Sequence, residues 1–241
     1  MDEVMTLWTT LSHMPLLWLT LTLLIYQAAD WLYRRSRYIW LNPVLTSIVA
    51  IAALLLITDT DYETYFANAR FIHFLLGPAT VALAVPLYHR VSKLQQMAGP
   101  IAVALPVGSL AAIVSAVGLG KLLGASTPTL ISLAPKSVTT PIAMGVSERV
   151  GGIASLTAVL VILTGIIGAV ISKPVLDHLR IKDPSVRGFA IGLASHGIGT
   201  TRAFQMSEEA GAFSGLGMGL NGILTALIIP ILAHLLGLGG V

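Results

Sequence analysis

With 241 residues, 55% of them hydrophobic and only 10% charged, and a mean hydropathy of +0.85, the chain lies outside the range of water-soluble globular domains. Its net charge of +3 sits in short basic clusters between apolar runs, the pattern that orients membrane proteins and not that of a nucleic-acid face. With no cysteine, disulfides and thiolate metal sites are excluded. The N-terminal stretch MDEVMTLW is acidic, and the first apolar run ends in Arg34, Arg35 and Arg37 instead of a small-residue cleavage site. It therefore reads as a retained span.

A hydrocarbon core about 30 Å thick needs roughly 20 apolar residues in a helix. Runs 15–33, 40–58, 71–88 and 99–123 meet or approach that length, followed by 152–172 and 212–236. This gives an all-α integral membrane bundle of about six transmembrane helices, with a single polytopic domain spanning 1–241. Residues 1–124 hold four spans and residues 125–241 a core. The basic clusters are Arg34/Arg35/Arg37, Arg90/Lys93 and Lys173/Arg180/Lys182/Arg187, whereas the loop after the second run carries Asp59, Asp61 and Glu63. Basic loops in the cytoplasm place the N-terminus outside a multi-pass inner (cytoplasmic) membrane protein. Asn42-Pro43 and Gly77-Pro78 read as kinks, and Trp18 as a packing residue among the interfacial tryptophans Trp8, Trp31 and Trp40.

Segments 125–150 and 184–209 are of span length but are interrupted by Pro, Gly, Ser and Thr. Free backbone groups in hydrocarbon cost several kcal/mol each, so such segments belong where protein or a wet cavity surrounds them. They align without a gap at an offset of 60: LAPKSVTTPIAMGVSE (133–148) lies over LASHGIGTTRAFQMSE (193–208), and Lys136 falls on His196. ILTGIIGAVI (162–171) likewise resembles ILTALIIPIL (223–232). If each segment is a re-entrant hairpin, the one span between them makes the pair an inverted repeat, a recurring transporter plan. Thr127-Pro128, Thr140-Pro141 and Asp183-Pro184 supply half-helix starts. The rival is two spanning helices with unwound centres, giving eight spans.

One tip holds Lys136, Ser137, Thr139 and Thr140; the other holds Ser195, His196, Gly197, Gly199, Thr200, Thr201 and Arg202. Cations deep in a membrane are expensive and mark function, and half-helix N-termini add free N–H groups with a positive dipole end. Glycines and small hydroxyls admit close approach. Such a site suits a small hydroxy- or oxo-carboxylate, not a metal ion or a large lipid, and needs no cofactor. No Asp or Glu lies at the middle of an expected span, which leaves His196 as the one midplane group titrating near neutrality. Each residue also has a structural reading: Lys136 snorkels to an interface, Arg202 pairs with Glu208, and His196 donates to a backbone carbonyl. His13, His73, His89, His178 and His234 lack metal-ligand spacing and read as interfacial; Gly165/Gly168 and Gly215/Gly217/Gly219 read as close helix packing.

NPVLTSI (42–48), FLLGPATVALAVPLY (74–88), LAPKSVTTPIAMGVSE (133–148) and ASHGIGTTRAF (194–204) resemble the signatures of the LrgB/CidB family over nearly the whole chain. That resemblance implies either transport of glycolate, glycerate, lactate or pyruvate, as in the related plant plastid glycolate/glycerate translocator, or antiholin-like control of murein hydrolase activity and cell lysis. It also implies a small LrgA/CidA-like membrane partner, with a homo-oligomer as a further arrangement. An intramembrane enzyme has no nucleophile–base pair or metal motif to rest on, so the expected class is non-enzymatic.

Overall fold

The structure, a computed structural model, describes residues 11–36, 38, 41–75, 78, 81–82 and 84–235. Among these the regular structure is helical, in ten helices, and the chain divides into two compact units, Met1–Ala82 and Leu83–Val241.

In the first unit, α1 (Pro15–Ser36), α2 (Pro43–Ile57) and α3 (Tyr62–Phe74) pack together. Asn42 is not a kink but the N-cap of α2: its Oδ1 accepts from Val44 N and Leu45 N, and Pro43 follows in the first turn. Trp18 is the buried anchor, donating from its indole N–H to the Ser12 carbonyl (2.7 Å) and meeting Tyr65 edge-on at 5.3 Å. The acidic stretch expected as an outer loop opens α3, because Tyr65 can then pack on Trp18 and bond Thr22 (3.3 Å). Within residues 71–88, expected as one span, α3 ends at Phe74 and α4 covers Ala84–Tyr88, with 76–77, 79–80 and 83 outside the described residues. Gly77 of the expected Gly77-Pro78 kink, like Trp8 and Trp40, lies outside the described residues.

The second unit holds α4, α5 (Val91–Leu122), α6 (Thr127–Leu133), α7 (Thr140–Arg149), α8 (Ala154–His178), α9 (Pro184–Met206) and α10 (Glu208–Leu235). Helices α1, α5, α8 and α10 are long and apolar enough to cross a bilayer. Leu122, Val114, Val103 and Leu163 on these helices face outward, as lipid contact requires. The chain is a multi-pass membrane protein. Pro106, Pro174 and Pro230 lie inside these helices, where each removes one backbone donor.

Helices α9 and α10 touch backbone to backbone. A Cβ at Gly188 would strike the Ala210 carbonyl, and one at Gly192 the Ser214 carbonyl, so only glycine admits the approach. At one end of this unit, side chains tie four elements together. Asp183 caps α9, accepting from Ser185 N (2.8 Å) and Val186 N (3.2 Å), and also pairs with Lys93 of α5 (2.8 Å). Arg187 of α9 and Lys173 of α8 both reach Asp177 at 2.7 Å, while Ser185 donates to Glu209 of α10. The Lys93 hydrogen bond, helped by the two backbone N–H groups, holds the Asp183 carboxyl below the usual carboxylate range.

Candidate functional site

The two broken segments are built differently. The first is two short helices, α6 and α7, joined by a turn over 134–139. Helix α7 starts with Pro141 in its first turn, and Thr139 occupies the N-cap with extended backbone but without a side-chain cap. Helix α6 likewise starts one residue earlier than its proline motif suggests, with Ser126 as N-cap. The second segment is continuous in its helical pattern except at His196, whose φ of 42° and ψ of −139° take the chain out of the helix. A non-glycine residue there is strained, at a cost of order 1–3 kcal/mol that surrounding contacts must offset.

Those contacts are concentrated on α8. The His196 imidazole lies over Gly165, where a Cβ would sit 2.7 Å from Cε1, and Ser195 presses on Gly168. His196 Nε2 and the Val161 carbonyl are 3.0 Å apart; a carbonyl only accepts, so Nε2 carries a proton. The alternative reading of His196 as a donor to a backbone carbonyl describes this bond. Thr200 donates to the His196 carbonyl (2.8 Å) and shares a hydrogen bond with Ser214 of α10 (2.9 Å), and Thr201 donates to the Gly197 carbonyl (3.2 Å). Gly199 packs so closely on Ile191 and Ser195 that a Cβ would clash. Gly197 is open, its nearest neighbour in that direction being the Met218 sulfur at 3.8 Å.

The first tip meets the same helix. Val138, Ala143 and Val161 form one buried cluster. Val161 thus shares a buried cluster with Val138 of one tip and accepts His196 of the other at its carbonyl. Lys136 is half-buried and, among the described residues, reaches only Ser137 Oγ, at 3.4 Å. The hydroxyls of Thr139 and Thr140, also half-buried, make no hydrogen bond among the described residues, and neither does the buried Ser195 hydroxyl. Arg202 bonds Gln205 along its own helix (3.0 Å) and lies partly exposed away from the break. The first tip, through Val138, and the second, through His196, thus both border Val161; Thr200, Thr201 and Gly199 serve the local backbone.

One central residue escaped the sequence reading. Asn221 of α10 is 1% exposed. Its Nδ2 donates to the Leu193 carbonyl (2.9 Å) and, more weakly, to the Ser137 carbonyl (3.4 Å). Its Oδ1 accepts from Ser109 of α5 and from Thr225 (3.3 Å). The signal was present: a lone amide within an apolar 212–236 run must find buried partners.

Residues 22–235 match the LrgB-like family, a stretch that contains both broken segments. The chain belongs to that family. Its relatives include YwbG of Bacillus subtilis (strain 168), 40% identical over 89% of this chain and 95% of that protein. YxaC of the same organism is 35% identical over 89% and 94%. A protein named antiholin-like protein LrgB, from Bacillus mycoides (strain KBAB4), is 30% identical over 92% of this chain and 97% of its own length. No solved structure gives a significant match. The resemblance read from the motifs is therefore borne out at the level of the family. Among the described residues no group of three or more His, Cys, Asp or Glu side chains is placed to hold a metal.

Proposed function

We propose that the chain is an antiholin-like membrane protein of the LrgB type, and that its molecular action is the passage of a small monocarboxylate where its two broken segments meet. The comparisons support the first half alone, through relatives of that name aligned over 92% of the chain. The second half rests on geometry.

The contacts favour two re-entrant hairpins forming an inverted repeat. Ile131 of α6 clusters with Val146 of α7 and with Val150, its C-cap, near the start of α8, where Ser132 accepts from Ile153 N (2.7 Å), while Val138 and Ala143 lie deeper, at Val161. In the other segment Ile191 and Ala203 cluster with Leu176, near the opposite end of α8, while His196 reaches back to Val161. The segments then approach one level of α8 from its two ends. Each presents a half-helix N-terminus there, α7 in one and the turn after His196 in the other, so two positive dipole ends face one region. Lys136 adds a formal charge, and the unspent Thr139, Thr140 and Ser195 hydroxyls add donors. A small carboxylate of the glycolate, glycerate, lactate or pyruvate type matches that donor-rich, confined site. The single observation carrying this half is the convergence of both tips on Val161.

In this reading the basic loops face the cytoplasm, the N-terminus lies outside the inner membrane, and a small LrgA/CidA-type membrane protein is the partner for control of lysis. The test is uptake of labelled lactate, glycolate and pyruvate by proteoliposomes holding the purified chain. Lys136→Ala and His196→Ala should each abolish saturable uptake while the protein still inserts. Full uptake by both variants would remove the proposed site. No uptake by the wild type, with an altered autolysis rate on expression in cells, would leave the regulator reading alone.

A further inference from the structure

The reversal at His196 takes the chain out of the helical ladder, so carbonyls of the preceding turn lose their usual acceptor role toward residues four positions on. Ser137 lies in the turn that joins α6 to α7, outside either helix. Buried carbonyls need partners. Both find the same one, since the Asn221 amide donates to Leu193 and to Ser137. Asn221 is in turn held by Ser109 and Thr225, so both donors and the acceptor of its amide are engaged. A side chain with four partners and 1% exposure has little freedom to rotate.

The opposite arrangement exists on α8. There the Val161 carbonyl receives His196. The helix following the first broken segment thus holds the tip of the second, and the helix following the second holds the tip of the first. A carrier whose tips opened independently would have no use for a shared buried donor. Desolvated carbonyls released on one side would be left unsatisfied on the other.

We infer that Asn221 is a positioning residue that pins the two tips to each other, so that they move as one body when the site changes its exposure. This deepens the carrier reading, and the test separates the two. The chain has no cysteine, so single cysteines report cleanly. Thr139→Cys reads the first tip; Gly197→Cys, where a side chain has room, reads the second. Ala212→Cys, fully buried on α10 away from the pin, reads general loosening. Each is placed in the full-length protein in proteoliposomes and labelled with a membrane-permeant methanethiosulfonate.

Asn221→Leu, close in volume but without a donor, should raise the labelling rate at both tips by at least about threefold, from the usual worth of a lost hydrogen bond, and leave Ala212→Cys unchanged. Ser109→Ala, which only loosens the amide, should raise both by a smaller factor and keeps the proposal testable if Asn221→Leu does not fold. A rise at one tip alone, at neither tip, or equally at Ala212→Cys overturns the pin. Lactate should slow labelling of both tips together. If it slows neither, the carrier reading fails, while the ligand-free rates still decide the coupling.

Discussion

Consider Gly165→Ala. In an exposed helix position this change stabilises, because alanine is about 1 kcal/mol better than glycine as a helix former. At Gly165 the added methyl would lie 2.7 Å from His196 Cε1, 2.8 Å from Nε2 and 2.9 Å from Ile198 Cβ. Favourable contacts between such atoms begin near 3.5 Å. The imidazole cannot swing clear without giving up Val161, because Nε2 is bound to that carbonyl at 3.0 Å. Overpacking of this kind costs about 1–3 kcal/mol, and the lost hydrogen bond adds about 0.5–1.5 kcal/mol. Set against the propensity gain, the variant should be less stable by about 0.5–3.5 kcal/mol. Gly145→Ala on α7 is the control, since a Cβ there meets nothing within 4 Å; it should be neutral or slightly stabilising. Thermal unfolding of both variants in the same detergent measures the contrast. A Gly165→Ala protein as stable as Gly145→Ala would refute the claim that the His196 turn is seated on α8.

Two further outcomes follow from other parts of the fold. Asp183→Ala removes the cap of α9 and the Lys93 partner together, for a loss of about 0.5–2 kcal/mol from the cap. Because the folded carboxyl titrates below its unfolded value, this stability is whole above about pH 4 and fades as pH falls through the depressed folded value. The gap between wild type and variant in pH-dependent unfolding should therefore close only in acid; a gap that widened on acidification would contradict the assignment. Trp18→Ala should cost the first unit about 3–5 kcal/mol, and Trp18→Phe less, since the ring stays and only the N–H bond to Ser12 goes. Unfolding of the wild-type and variant proteins, followed by thiol access at a cysteine placed at Ala69, buried in the same unit, reads both.

The class of the fold was legible because long apolar runs leave few alternatives, and α1, α5, α8 and α10 follow from hydropathy alone. The interrupted segments were legible too, since Pro, Gly and hydroxyl residues at span depth forbid a lipid-facing helix. What composition hid was tertiary. Tyr65 turns a polar stretch into helix α3 by packing on Trp18. The chain reverses at His196 and not at the neighbouring Gly197, because the strained turn is fixed by Val161 and by the space over Gly165. Thr200 and Thr201 read as ligand donors, yet their hydroxyls are engaged by their own helix and by Ser214. Hydroxyl type alone does not say which partner is nearer. Asn221 lay outside the repeat that drew attention, and its importance comes from two carbonyls on distant parts of the chain.

The account stands on the two tips meeting. The most direct test joins Thr139→Cys and Gly197→Cys in one cysteine-free chain and treats it with a short bifunctional thiol reagent in proteoliposomes. Peptide mass spectrometry should find residues 139 and 197 linked within one molecule. Single labels at each position with no link between them would contradict the convergence, and with it the site.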